Sequence, residues 1–191
     1  RSAFVLLLTP DALMVPGAME SLIAVLRADS RIAACGPRLV NADGSLQISV
    51  WRNPPAAWEI VLSNVKLYRL LPERFRGELL LGPHWRHDRR RQVRMLSAAA
   101  LMVRRKTIDD VGGFDERFHM YGEDNEWCLR IARAGWLLVF EPAVVIRHVD
   151  AQSSATRWST LEKRRVQLEA SFLFQRVSVP RRHLVANQLA S

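Results

Sequence analysis

Residues Phe4 to Leu8 form an unbroken apolar run that stops at once at Thr9, Pro10 and Asp11. A run so short and so uniformly apolar reads as a strand buried on both faces, the pattern of parallel strands covered by helices on either side. Such a strand needs partner strands from further along the chain. Pro16 and Gly17 then lead into Ala18 to Ala28, where Met19, Leu22, Ile23 and Leu26 recur at helical spacing. Strand, loop and helix in that order are the opening of an α/β arrangement.

The same reading carries through the rest of the chain. A short apolar stretch, 32–35, precedes Gly36-Pro37, and 38–40 runs on to Asn41-Ala42-Asp43-Gly44, a tight-turn signal with 46–50 as the returning strand. Residues 52–93 are irregular: Pro54-Pro55, an apolar helical piece at 58–71, then a basic stretch at 84–91 in which His84 and His87 read as loop residues. An insert of that length in a compact domain is commonly functional. Residues 95–103 are apolar and rich in small side chains, 104–111 read as a short helix, and Gly112-Gly113 end it. Residues 123–134 read as a helix with acids in the first turn, Arg130 and Arg133 in the last, and Gly135 as the stop. Strands are expected at 137–140 and 143–146, around Glu141-Pro142. A final amphipathic helix, 157–177, carries Trp158, Leu161, Leu168 and Phe172 on one stripe and ends before Pro180.

At 191 residues, 49% hydrophobic and 25% charged, the chain has the apolar material for one sizeable core, so one domain or part of one is expected. No stretch approaches the roughly 18 uninterrupted apolar residues of a membrane span, and the opening run is too short for a signal peptide. The expectation is a cytoplasmic protein, soluble or peripheral. Cys35 and Cys128 lie among apolar neighbours, which suits buried reduced thiols better than a disulfide. The net charge of +9 is concentrated at 86–94, 104–106, 163–165 and 181–182 and should attract polyanions. No nucleic-acid motif accompanies it, so specific nucleic-acid binding ranks last among the readings. The basic amphipathic region 157–182 instead suits the anionic inner leaflet of a membrane.

Leu6-Leu7-Leu8-Thr9-Pro10-Asp11, Gly36-Pro37-Arg38-Leu39 before Asp43-Gly44-Ser45, and Gly112-Gly113-Phe114-Asp115-Glu116 with Glu123-Asp124 form an ordered series. Together they resemble the family 2 glycosyltransferases, especially rhamnosyltransferase-like members, over roughly residues 4–148. The resemblance implies an α/β fold: part of a GT-A, nucleotide-diphospho-sugar transferase, Rossmann-like mixed sheet flanked by helices. Residues 1–155 would be the acceptor-side part and 156–191 a C-terminal basic helix and tail. It implies further that the family's N-terminal nucleotide-binding half lies outside this sequence.

In that family a strand ends in an acidic element that holds a divalent cation, Mn2+ or Mg2+, against the diphosphate of a nucleotide-sugar donor. The matching residues are Thr9 and Asp11, with Thr9 standing where the family has Asp or Asn, and Arg38 is a candidate for the donor phosphates. A cation on a rigid strand end steadies charge as the diphosphate departs. His148, after the last strand, matches a histidine that completes the metal site in several members, and imidazole with carboxylate favours manganese. Trp85 and Arg89 to Arg91 are weaker candidates for donor or acceptor contact, with a solvated loop the plainer use of the arginines. Ser97 and Ala98 stand in the stretch that lines the acceptor entrance.

Asp124 matches the base that deprotonates the acceptor hydroxyl, with Glu123 supporting it. A carboxylate in a first helical turn is expected to stay ionised near neutral pH because the helix N-terminus favours its charge. These residues imply inverting transfer to a glycan or polyprenyl-linked acceptor in cell-envelope synthesis. The alternative, suggested by Thr9 and by the absent N-terminal half, is a catalytically inactive fragment or degenerate homologue acting as an interaction module. Each acid also has a purely structural use: Asp11 as a turn or cap residue, Asp124 as a complement to the helix dipole, His148 as a satisfied strand-end histidine.

Overall fold

The computed structural model describes residues 2–50, 67–72, 85–149 and 159–178. In chain order these form β1 (Phe4–Leu8), β2 (Ala12–Leu13), α1 (Ala18–Ala28), β3 (Ile32–Val40), β4 (Leu46–Gln47), a 3-10 turn (Leu67–Leu70), β5 (Arg91–Val93) and β6 (Ala100–Arg104). After them come α2 (Arg105–Val111), α3 (Glu123–Arg133), β7 (Leu137–His148) and α4 (Thr160–Ser178). The helical piece expected at 58–71 is represented only by the 3-10 turn. The rest of it, His84, Trp158 and Pro180 lie outside the described residues.

The fold is a mixed α/β sheet of seven strands among the described residues, in the order β1-β6-β3-β7-β2, with β4 paired to β3 and β5 to β7. The central pair, β3 and β7, is parallel, and the other pairs are antiparallel. The expected parallel setting of β1 is therefore corrected: Phe4 pairs with Arg104 and Leu8 with Ala100, in antiparallel register. Its run is half-buried, with Leu8 exposed, as befits a strand away from the centre of the sheet. An apolar run reports burial but carries no information on strand direction.

Apolar side chains alternate between the two faces of the central strands, so each strand feeds two cores. On one face Leu22, Val25 and Leu26 of α1 pack over Ile32, Cys35, Leu39, Met102, Val139 and Ile146. On the other, Trp127, Cys128 and Ile131 of α3 pack over Ala34, Leu96, Leu101, Val103, Leu138 and Phe140. Each fully buried side chain of this size contributes about 1.5–3 kcal/mol. Gly36 in β3 permits the close approach of the segment before β6: a Cβ there would stand 2.8 Å from Leu96 Cδ2. Both cysteines are free, and burial pushes each thiol up to about 12.

The two strands expected around Glu141-Pro142 are one strand, β7, with an irregularity. Pro37 pairs with Glu141 and Arg38 with Val145, so the intervening residues of β7 bulge out of the ladder. Proline has no N–H to give to a ladder, which is why the bulge falls there. Glu141 satisfies the loosened backbone by accepting the Ala143 N–H at 3.1 Å and also pairs with Arg90.

His87, read from sequence as a loop residue, lies in a loop but is fully buried there between Trp85 and Phe140, with its backbone at φ 54°. Trp85 is buried with it, under the Arg91 guanidinium, and Arg91 begins β5.

The last helix packs on α3: Arg133 donates to the Ser178 carbonyl at 2.6 Å, and Ala170 is buried. The predicted stripe faces outward: Leu161 is 78% exposed, Leu168 58% and Phe172 61%. Among the described residues no helix is long and apolar enough to cross a membrane.

Candidate active site

The start of α3 is set by two successive left-handed residues, Tyr121 at φ 66° and Gly122 at φ 87°. Gly122 is doubly constrained, because a Cβ there would also meet the Phe118 ring at 3.1 Å. A left-handed tyrosine is strained, and such strain persists only where surrounding structure holds it. Here it turns the chain sharply into α3.

Trp127, Cys128 and Ile131 face the core, and Asp124 stands three and four residues before the first two, hence on the same inward face one turn earlier. That position explains its surroundings. Asp124 Oδ1 accepts the Asn125 N–H at 2.8 Å, and Oδ2 accepts the Ala98 N–H at 3.4 Å. Burial, reinforced by the Glu123 charge and only partly offset by these bonds, raises the Asp124 carboxyl to about 6. The expected dominance of the helix N-terminus is thus corrected, since desolvation outweighs it; the group remains mainly ionised at pH 7. The neighbouring Glu123 Oε2 is buried and has no hydrogen-bond partner among the described residues.

The Gly112-Gly113-Phe114 segment is tied to α3 by side chains of the helix. Arg130 pairs with Glu126, donates to the Val111 carbonyl and reaches the Gly113 carbonyl at 2.7 Å. Trp127 Nε1 donates to the Gly112 carbonyl at 2.7 Å, and Phe114 meets the Trp127 ring edge-on at 4.9 Å. A cleft of about 540 Å³ opens in front, lined by β1, Thr9, Ser97, Ala98, Ala99, Phe114, Met120, Tyr121, Glu123 and Asp124. Ser97 and Ala98 therefore lie in the same cleft, beside the carboxylate.

The second group of candidates meets at the other end of the same loop. Thr9 N–H donates to the Ala99 carbonyl at 3.0 Å, and the Thr9 hydroxyl lies 3.3 Å from the same oxygen. Residues 98 and 99 thus join Asp124 on one side to the end of β1 on the other. Asp11 precedes β2, whose Ala12 is in register with His148 of β7. This antiparallel pairing brings together side chains 137 positions apart: His148 Nε2 lies 3.2 Å from Asp11 Oδ1. His148 Nδ1 lies 2.7 Å from Gln47 Oε1. Burial raises the Asp11 carboxyl, but the Thr9 hydroxyl, its own backbone and His148 together hold it below the ordinary value.

Two adjacent ligands at about 2.1 Å from an octahedral ion stand about 3.0 Å apart, so the Asp11–His148 spacing fits a shared cation. The described residues present no group of three or more His, Cys, Asp or Glu that could hold a metal. An ion here would take its remaining ligands from a diphosphate and water, as Mg2+ commonly does.

Arg38 is not among the residues lining the cleft; its guanidinium acts on the buried His87, and its Nε is buried without a partner among the described residues. Sequence reasoning missed Gln47 and Tyr121. The strong turn before Gln47 marks its hairpin, but nothing in the sequence pairs it with His148. No local signal marks a tyrosine that must adopt a left-handed backbone.

Comparison with known proteins supplies an independent line. The glycosyltransferase-like family 2 model matches residues 1–167. The chain is 32% identical over 166 residues to N-acetylglucosaminyl-diphospho-decaprenol L-rhamnosyltransferase of Mycobacterium tuberculosis, an alignment covering 79% of this chain and 48% of that protein. It is 31% identical over 155 residues to the pre-mycofactocin glycosyltransferase of the same species, covering 81% of this chain and 28% of that one. The chain thus spans about half the length of the first relative and less of the second.

Proposed function

Because this chain belongs to the glycosyltransferase-like family 2, we propose that it serves in transfer of a sugar, with inversion, from a nucleotide-sugar donor to a hydroxyl of a polyprenyl-linked glycan acceptor. The observation that carries this reading is the Asp124 carboxylate. It is set in a cleft, raised to about 6 by burial and by Glu123, and bonded through the 97–99 loop to the strand end that bears Asp11. A base with a pKa just below the working pH is ionised when needed yet retains the affinity to take a proton.

Asp124 accepts the proton of the acceptor hydroxyl as its oxygen attacks the anomeric carbon from the cleft side. Glu123, whose Oε2 has no partner among the described residues, orients a neighbouring acceptor hydroxyl. Ala98 and Asn125 hold the base in place through their backbone N–H groups. Asp11 and His148 are the residues that would hold Mn2+ or Mg2+, with Thr9 supporting Asp11. When bound, such an ion supplies positive charge against the departing diphosphate. The naming of a decaprenol-linked acceptor for one relative supports the acceptor class and a role in cell-envelope synthesis.

The outward apolar stripe of α4, with Lys163, Arg164 and Arg165 beside it, supports peripheral contact with an anionic membrane where such an acceptor lies. The test is release of nucleoside diphosphate from a donor panel with Mn2+ or Mg2+, comparing wild type with Asp124→Asn within the full reading frame. Release by the wild type only supports the reading. No release from a folded wild type favours the inactive interaction module, to which the loss of an acid at Thr9 also points.

A further inference from the structure

The tight turn Asn41-Ala42-Asp43-Gly44-Ser45 does no chemistry in the reading above, yet it is unusually well tied. Asn41 N–H donates to the Ser45 carbonyl at 2.8 Å, and Asn41 Nδ2 donates to Ser45 Oγ at 2.8 Å. Asp43 Oδ1 accepts both the Ser45 hydroxyl at 2.6 Å and the Ser45 N–H at 2.9 Å. Gly44 takes the left-handed backbone, φ 82°, that the turn requires. The outcome is a fixed register for a strand of only two residues, β4, with Leu46 opposite Val40 and Gln47 opposite Leu39. Leu39 is itself in register with Ile146 of β7, and His148 stands two residues further along that strand, on the same face as Ile146.

From this placement we propose that Gln47 is a positioning residue for the cation site, acting through His148; the inference rests on the metal reading of Asp11 and His148 above. Gln47 Oε1 lies 2.7 Å from His148 Nδ1. An amide oxygen accepts, so Nδ1 donates to Gln47, and this bond fixes the plane of the ring with Nε2 3.2 Å from Asp11 Oδ1. Without it the ring keeps only its contact with Asp11, and Nε2 loses its fixed place at the cation site. Gln47 therefore orients the ligating histidine, the role that a carboxylate or carbonyl fills behind many metal-bound histidines.

The test observes the His148 imidazole directly, by nitrogen-15 NMR, with Mn2+ alone as probe and His148→Ala for assignment. Wild type is expected to show Mn2+ broadening at His148. Gln47→Leu should weaken Mn2+ binding about tenfold or more. Gln47→Glu, which keeps an acceptor at the same reach, should restore it. Thermal denaturation checks that each variant is folded. Mn2+ bound equally by Gln47→Leu and wild type overturns the inference while leaving the metal reading intact. Absence of Mn2+ broadening in the wild type overturns both.

Discussion

Replacing Asp124 by Asn should abolish transfer and at the same time make the fold more stable. The carboxyl rises from 3.8 to about 6 on folding, because burial and the Glu123 charge penalise its ionised form. Between those two values the native state binds more protons than the unfolded chain, so ionising Asp124 lowers stability as pH rises through the window and the loss is complete above about 6. A shift of about two units corresponds to about 3 kcal/mol at neutral pH. An amide escapes that penalty but has one acceptor oxygen for the two N–H groups of Ala98 and Asn125. Losing the longer of these bonds costs about 1 kcal/mol, leaving a net gain of about 2 kcal/mol. For a chain of this size that is a rise in Tm of about 4–8 °C at pH 7.5. The gain should vanish below about pH 4, where the wild-type carboxyl is protonated in both states. Thermal denaturation of both proteins at the two pH values, beside nucleoside diphosphate release, gives the answer. A variant destabilised at pH 7.5, or a Tm difference independent of pH, would refute the argument that burial holds this carboxyl high; unchanged turnover would refute its role as base.

Arg130→Lys should lower stability by about 2 kcal/mol, because an ammonium cannot serve Glu126 and the Val111 and Gly113 carbonyls together, and urea unfolding reads this directly. Gly122→Ala meets both a left-handed backbone and the Phe118 ring, so a loss of about 1–3 kcal/mol should come with a fall in kcat from displacement of Tyr121 and Asp124. Wild-type stability after the exchange would show that the helix start is looser than this packing requires. Leu168→Glu with Phe172→Glu should abolish flotation with anionic liposomes while changing stability by no more than about 1 kcal/mol in total, since both side chains already face outward. Undiminished flotation would exclude the stripe as the membrane contact.

Much of the architecture was legible because its signals are local. The helical spacing of Leu22 and Leu26 and the glycines at 112 and 135 mark helices that form with nearly those bounds, and the turn at 41–44 marks a hairpin whose returning strand is shortened from the expected 46–50 to Leu46–Gln47. The acids at 123 and 124 fall in the first turn of α3, as their order in the sequence implied. Glu141-Pro142 was legible as an interruption, but only the pairing of β3 with β7 makes it a bulge within one strand.

The residue series alone identified the family and singled out Asp124 and Asp11 as candidate base and metal ligand, because each is a chemical type at a set distance from a turn or cap. The tertiary structure decided the rest. It made β1 antiparallel, buried His87 against Phe140, turned the apolar stripe of α4 outward, and brought Asp11, Gln47 and His148 together from three separate strands or strand ends. It also raised Asp124 against the pull of its own helix. Strand direction, burial and pKa all depend on neighbours remote along the chain, and periodicity carries information only about neighbours that are close.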